Sequence, residues 1–470
     1  MDFKKIIKDK KVYVPLLIVL FLILIALWTF PLRMYHWWDE VVYLQNAEVI
    51  FSGVDNYSEL SFRPPLLSIL FAGIFFFWHS PLAASVLTSL LCFLLVPLIF
   101  LIGKKYFNFW TGLIAAITVL SSTFILENAH YLLTDIPAVS LMAISFFLLF
   151  FDNKKLCLFF SGAFLSLAVL MKFSVVLFVP VIALYALIKK FNFKKIFILG
   201  GSSFLFILPY LLWAQIEFGN FLSPFIIGVS KVTARNHGIF FYFLNLTRAF
   251  TSIIIPGIFF WIFLFYKKIK EYSKNIDWIK INIVFLFWIT IFLVYLSYTS
   301  HKELRYILPI TLPIILISSQ GWDYFLKFLK KIDIRIFLGF IGICILILLG
   351  LSIVEFNENI SPPNFSFIEE NINPRIEMSR YILENTTYDF IYTNHYWPVY
   401  AYYTGLETKF IFSRNDFYTN YSNFLNEKDL ILVNTDVVMG PRLSWIEDKQ
   451  QFKFVEKKGE VFAFEFIPLD

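Results

Sequence analysis

Trp37-Trp38-Asp39-Glu40-Val41-Val42-Tyr43 stands within ten residues of the end of an apolar run, residues 12–30, which carries no charge and is long enough to cross a bilayer. Two adjacent carboxylates sit there between tryptophans and a tyrosine, and such rings suit the membrane–water boundary. An acidic pair in this place is either a solvated loop or part of a site at the membrane surface. The choice depends on what else in the chain reaches the same side.

Composition settles the class. The 470 residues are 59% hydrophobic, 20% aromatic and only 16% charged, with a mean hydropathy of +0.71. A soluble chain is nearer half apolar and a quarter charged. The sequence is that of a polytopic α-helical membrane protein. Its net charge of +6 comes from lysines in short loops between apolar runs, which does not point to nucleic acid. Cys92, Cys157 and Cys344 all lie inside apolar runs, against a disulfide framework or a zinc site. The start, Met1-Asp2-Phe3-Lys4-Lys5, mimics a secretory signal, but no small-x-small cleavage site follows, so residues 12–30 read as a retained first helix.

Further apolar runs cover residues 64–78, 81–103, 109–126, 135–151, 156–170, 175–188, 196–213, 250–266, 281–298, 306–322 and 336–354. The run 64–78 is short and opens with Pro64-Pro65, and whether it crosses sets the sidedness of everything after it. Cytoplasmic loops are enriched in Lys and Arg. If 64–78 does not cross, 22 Lys or Arg lie in the loops on the side of the N-terminus and 8 in the opposite loops. The expectation is therefore about eleven spans plus one re-entrant or interfacial helix, with the N-terminus cytoplasmic.

From Glu355 the composition changes. Ser361-Pro362-Pro363 reads as a linker, residues 375–385 as a helix, and 389–392, 409–412 and 430–433 as buried strands. Residues 452–455 and 461–466 flank Lys457-Lys458-Gly459-Glu460 as a hairpin. The chain thus divides into a transmembrane domain, 1–355, and a small extracytoplasmic α/β domain, 356–470.

Several polar residues fall on the outer side with Asp39 and Glu40. In Thr134-Asp135-Ile136-Pro137, Asp135 is either a helix-start residue or part of a site, and His130 precedes it closely. Arg63 precedes Pro64-Pro65 and either snorkels or binds. Lys172 stands alone between two apolar runs and needs an anionic partner or water. Ser300-His301-Lys302-Glu303-Leu304-Arg305-Tyr306 packs cations into a short outer loop against the charge bias, and Pro309 and Pro313 follow. An anionic group at the membrane surface accounts for such a loop, Arg matching phosphate through paired donors. A carboxylate such as Asp39 serves as general base toward a hydroxyl or as oxygen ligand for a divalent cation. No P-loop, dinucleotide fingerprint or zinc motif is present.

These motifs resemble the GT-C class of integral-membrane glycosyltransferases, closest to the protein O-mannosyltransferases and the lipid A aminoarabinose transferases. The likeness rests on Asp39-Glu40-Val41-Val42-Tyr43, Arg63-Pro64-Pro65-Leu66, Thr134-Asp135-Ile136-Pro137, the Lys172 turn, and Arg305-Tyr306 with Pro309 and Pro313. It covers roughly residues 1–355 and leaves the tail without a recognisable binding module. The resemblance implies a polyprenyl-phosphate sugar as donor, a lipid, glycan or protein acceptor, and transfer with inversion. Asp39, Glu40 and Asp135 become the expected catalytic residues. Arg63, Lys172, His301, Lys302 and Arg305 become the expected phosphate binders, and Tyr43, His130, Glu303 and Tyr306 line the substrate. The metal requirement varies in this family and nothing in the sequence forces one; a magnesium or manganese ion at Asp39 and Asp135 is the candidate cofactor. A transporter or flippase of a lipid-linked sugar, a glycan polymerase or ligase, and a silent scaffold remain alternatives. Transporters place polar residues at mid-membrane in inverted repeats, whereas these gather at one face.

Overall fold

The computed structural model describes residues 38–53, 59–152, 154–230, 237–299, 301–329, 373–385, 388–411, 425–436 and 441–468, with Tyr418 and Tyr421. The apolar runs 12–30 and 336–354, Trp37 and the linker Ser361-Pro362-Pro363 lie outside the described residues. The chain forms two compact units: residues 60–329 make one, and residues 38–53, Glu59 and the described residues from 373 onward make the other. The helix α1 (Trp38–Ser52) therefore groups with the C-terminal unit, a different division from the sequence expectation.

The first unit is entirely helical among its described residues. In chain order it holds α2 (Leu66–Phe75), α3 (Pro81–Phe93), α4 (Leu95–Tyr106), α5 (Phe109–Leu120), α6 (Thr123–His130), α7 (Asp135–Leu148), α8 (Lys155–Met171), α9 (Phe178–Ile188), α10 (Phe193–Phe218), α11 (Ser223–Ser230), α12 (Ile254–Lys270), α13 (Tyr272–Tyr298) and α14 (Thr311–Leu329). Polar residues in the short loops start these helices. Ser80, Asn108, Ser122 and Asn192 each accept a backbone N–H of the first turn through their side chains. Gly219, at φ 69°, closes α10 in the left-handed conformation that only glycine adopts without strain.

Four stretches have the length and hydropathy of a span: Pro81–Tyr106, Phe193–Phe218, Lys274–Tyr298 and Leu304–Leu329. The run expected as one straight span over 109–126 is instead bent by 63° between α5 and α6. Ser122 caps a new helix there, so the apolar run continues while the hydrogen-bond ladder does not. Asp135–Phe151, Lys155–Met171 and Phe173–Ile188 are apolar but shorter, about 25 Å each at 1.5 Å per residue. The expected count of eleven thus exceeds the four or five stretches that reach crossing length among the described residues. α2, with ten residues, rises only about 15 Å, half a hydrocarbon core, as a re-entrant or interfacial helix requires. α10 turns Phe197, Phe204, Leu205, Leu212 and Ile216 outward, an apolar surface suited to lipid rather than water. The protein is a multi-pass membrane protein.

The second unit carries a five-stranded sheet, order β2-β1-β3-β5-β4. Its elements are α15 (Pro374–Asn385), β1 (Phe390–Thr393), α16 (Trp397–Thr404), β2 (Glu407–Phe410), β3 (Leu430–Asn434), β4 (Phe452–Lys458) and β5 (Val461–Phe466). β1 pairs parallel with β2 and β3, while β5 pairs antiparallel with β3 and β4. Alternate residues of β3 face opposite cores: Ile431 and Val433 with Tyr392 and Phe464, Leu430 and Leu432 with Ile391 and Tyr400. Both faces being covered, the strand reads as a continuous apolar run. The helix, the three short strands and the hairpin expected from the sequence are all present.

Candidate active site

The polar residues of the helical unit meet where three helix ends come together. α8 stops at Met171, and Lys172 adopts an extended conformation before a 3-10 turn, Phe173–Leu177. That break lets the ammonium leave the helix axis and donate to Asp135, the first residue of α7. Thr134 makes no capping bond through its side chain, and Asp135 both opens the helix and accepts from the lysine. The Asp135 side chain is 4% exposed and that of Lys172 13%. Such a pair in a low-dielectric setting is held together strongly and is costly to break.

The third element is the 3-10 segment Leu304–Ile310. Its shape follows from two prolines. Pro313 has no N–H to bond the carbonyl of Pro309 four residues earlier, and the indole N–H of the fully buried Trp288 takes that carbonyl at 3.1 Å. The segment is thereby fixed against α13. Arg305 Nε donates to Glu303 at 2.6 Å, and His301 Nε2 lies 3.1 Å from the other oxygen of the same carboxylate. An Arg305 terminal nitrogen lies 4.0 Å from Asp135, an ion pair but not a hydrogen bond. The Lys172 ammonium and the Arg305 guanidinium both approach the Tyr306 ring, 4.7 Å and 5.6 Å from its centre. Asp135 thus sits between two cations, and Tyr306 forms their common wall.

Not every expected residue joins this cluster. Lys302 is buried and donates to the carbonyls of His237 and Thr299, so its charge fastens the loop. Two of its three donors are thus taken by carbonyls rather than by the expected phosphate. His130, the last residue of α6, packs edge-on against Phe93. The residue before Arg63 packs against α11. A Cβ placed on Gly228 of α11 would lie 3.0 Å from the Phe62 carbonyl oxygen and 4.0 Å from the Phe173 ring, next to Lys172.

Asp39, Glu40 and Tyr43 belong to the other unit. They lie in α1, where the carboxylates of the first turn complement the helix dipole. Glu40 and Tyr43 are buried, and Asn46 on the same helix accepts the backbone N–H of Glu59 at 2.8 Å. The sequence did not reveal what holds α1 within its unit. Trp38 packs with its ring centre 5.1 Å from His395 and 4.5 Å from Trp397, the latter edge-on. Those residues join β1 to α16 through Tyr396, held at φ 62° with the Arg375 guanidinium 4.0 Å over its ring. The hint was composition alone: a tryptophan beside the acidic pair, and a second aromatic cluster, His395-Tyr396-Trp397, late in the chain.

Among the described residues, no three His, Cys, Asp or Glu side chains gather as ligands for a cation. Asp135 is already bonded to Lys172, so the cluster fits a ligand that is itself an anion better than a metal ion.

Residues 63–213 match the family model described as dolichyl-phosphate-mannose-protein mannosyltransferase. No curated protein matches in a sequence search. Among solved structures, apo ArnT from Cupriavidus metallidurans superposes with a TM-score of 0.69 at 11% identity, covering 97% of this chain and 98% of that one. The same protein bound to undecaprenyl phosphate gives 0.70 over the same shares at 11% identity. The oligosaccharyltransferase AglB from Archaeoglobus fulgidus, in complex with an inhibitory peptide and a dolichol-phosphate, gives 0.59 at 11% identity over 97% of this chain and 75% of that one. The likeness to ArnT extends through the C-terminal unit, beyond the span of the matching motifs. The resemblance to the GT-C glycosyltransferases is borne out, by a family model over one stretch of helices and by a fold shared along nearly the whole chain.

Proposed function

We propose that the protein is a glycosyltransferase that moves a sugar from a polyprenyl-phosphate carrier to an acceptor hydroxyl on the extracytoplasmic side of the membrane. The observation that carries this reading is the meeting of Lys172 and Arg305 about Asp135 and Tyr306, at one end of an apolar helical unit. Two fixed cations in a largely dry setting are what a departing phosphate needs. The relatives with bound undecaprenyl phosphate and dolichol-phosphate support the donor class.

In this mechanism the acceptor oxygen attacks the anomeric carbon from the face opposite the phosphate, so the configuration inverts. The bond from that carbon to the phosphate oxygen breaks, and its electron pair leaves with the lipid phosphate. Asp39 takes the proton of the acceptor hydroxyl as general base, and Glu40 orients the acceptor. Lys172 and Arg305 stabilise the charge growing on the phosphate, with Arg63 and His301 as further donors. Asp135 and Glu303 hold those cations in place, while Tyr306, Tyr43 and His130 shape the sugar and acceptor sites. A magnesium or manganese ion at Asp135 would compete with Lys172 for the carboxylate, and no step is assigned to it. The lysine bias of the loops supports a cytoplasmic N-terminus, eleven spans and an extracytoplasmic C-terminal unit.

The test is purified protein supplied with a labelled polyprenyl-phosphate sugar and an extract of extracytoplasmic acceptors. Transfer is expected in the wild type and its loss in Asp39→Asn, with expression and donor binding retained. A normal rate in Asp39→Asn removes that carboxylate from the mechanism. Arg305→Ala is expected to weaken donor binding about tenfold or more, the worth of a charge-assisted contact; unchanged affinity reassigns Arg305 to anchoring its helix. Movement of the lipid across vesicles without sugar transfer would favour the flippase.

A further inference from the structure

A cavity of 340 Å³ opens at the opposite end of the helical unit from Asp135. Its walls come from the end of α4 (Lys105, Tyr106), the residues after α7 (Phe150, Asp152), the end of α9 (Tyr185, Lys189) and the first half of α13 (Asp277, Trp278, Lys280). The segment Asp135–Phe151 links the two places. Its 17 residues put about 25 Å between them, close to the thickness of a hydrocarbon core. The lysines lining the cavity belong to the loops that the charge bias assigns to the cytoplasmic side.

We propose that this cavity seats the phosphate-bearing headgroup of an anionic lipid from the cytoplasmic leaflet. Lys105, Lys189 and Lys280 line the cavity together with Asp152 and Asp277. Lys195, outside the lining, bonds Asp152 at 2.8 Å, so four cations stand against two carboxylates. Lys189 and Asp277 are 4.0 Å apart, a charge contact without a hydrogen bond. The hydroxyls of Tyr106 and Tyr185 bond each other at 3.0 Å, which fixes that wall. The cluster has a surplus of positive charge, and the volume is at the small end of ligand sites, ~300–1,000 Å³.

The surroundings select a lipid over a soluble anion. Next to the lining residues, Leu187 is 72% exposed, and Ile283 and Leu286 continue an outward apolar face along α13. A headgroup in the cavity would leave its acyl chains on those side chains, and Trp278 has the amphipathic ring that suits the interface between them. Basic pockets between helices on the cytoplasmic side recognise anionic headgroups in this way. The inference is independent of the transferase reading, because neither the cavity nor its test involves the Asp135 cluster.

The experiment places the full chain in nanodiscs of phosphatidylcholine, with and without phosphatidylglycerol, and reads lipid retained by native mass spectrometry together with the thermal midpoint. Wild type is expected to retain phosphatidylglycerol and to melt higher with it. Lys105→Gln/Lys280→Gln is expected to lose about thirtyfold in phosphatidylglycerol affinity, each interfacial lysine contributing about a factor of five. Lys105→Arg/Lys280→Arg keeps the charge and is expected to keep the lipid. Should the glutamine pair fail to fold, Lys280→Gln alone is expected to lose about fivefold. Equal retention in wild type and the glutamine variants overturns the proposal. So does inorganic phosphate, added to discs of phosphatidylcholine alone, reproducing the full stabilisation.

Discussion

Asp135 accepts from one cation and lies in charge contact with a second, an asymmetry that single substitutions expose. Lys172→Met leaves a buried carboxylate that still has Arg305 at 4.0 Å. Asp135→Asn leaves Lys172 without its bonded carboxylate, while Arg305 keeps Glu303. Breaking a buried pair from one side costs about 3–5 kcal/mol, and Asp135→Asn is expected at the upper end, Lys172→Met at the lower. The double variant should recover part of either loss. Chemical unfolding in detergent measures all three; equal losses for the two single variants would mean that Arg305 contributes nothing to holding Asp135. At this scale the sequence was half legible. A lone lysine between apolar runs announced a need for an anion, but its partner is 37 residues away on another helix. Thr134-Asp135-Ile136-Pro137 offered an equally good account of Asp135 as a helix start, and that holds too, since Asp135 opens α7 while its carboxylate accepts from Lys172. The carbonyl acceptors of Lys302 were not legible, because composition does not display them.

Helices in lipid gain little from hydrophobicity and pack by close approach at small residues. α12 and α14 do so at Gly257 and Gly321: a Cβ built on Gly321 would come 1.8 Å from the Gly257 carbonyl oxygen. Backbone cannot yield there as a flexible side chain can. Gly321→Ala is expected to cost at least the 1–3 kcal/mol, roughly, of ordinary overpacking and to lower the thermal midpoint in detergent. A midpoint equal to wild type would place the two helices further apart than described. The segment Leu304–Ile310 leads directly into α14, so the same substitution should also lower transfer activity. Helix positions were largely readable, because apolar runs end at polar loops. The bend between α5 and α6 was not, since hydropathy is blind to direction. Ser121-Ser122 inside the run was the available sign, Ser122 being a capping residue type.

Across the whole molecule the most informative group is His395, because its protonation reports on the C-terminal unit. Burial pushes its imidazole below the ordinary value; Arg375 acts in the same direction and Asp436 opposes it. Above about pH 6.5 the ring is neutral both folded and unfolded, and contributes no pH dependence. As pH falls from there through the lowered folded value, the unfolded chain takes the proton first, and stability drops. Thermal melting of the full chain is expected to decline over that interval and to flatten in His395→Gln. An unchanged slope in the variant would move the titration to another group. The central strand β3 of this unit was legible because two covered faces make a continuous apolar run, whereas the half-exposed β2 lies two residues earlier than expected. The membership of α1 was not: ring contacts between Trp38 and residues some 360 positions later leave no periodic trace.

That long separation has a consequence for biosynthesis. A ribosome adding about 5–20 residues each second needs roughly 20–70 s to travel from Trp38 to Trp397. Throughout that interval the helix bearing Asp39 and Glu40 exists without the rings it finally rests against. A nascent chain threading into the membrane is therefore born without its acidic pair in place, and that pair is seated only after translation has passed Trp397.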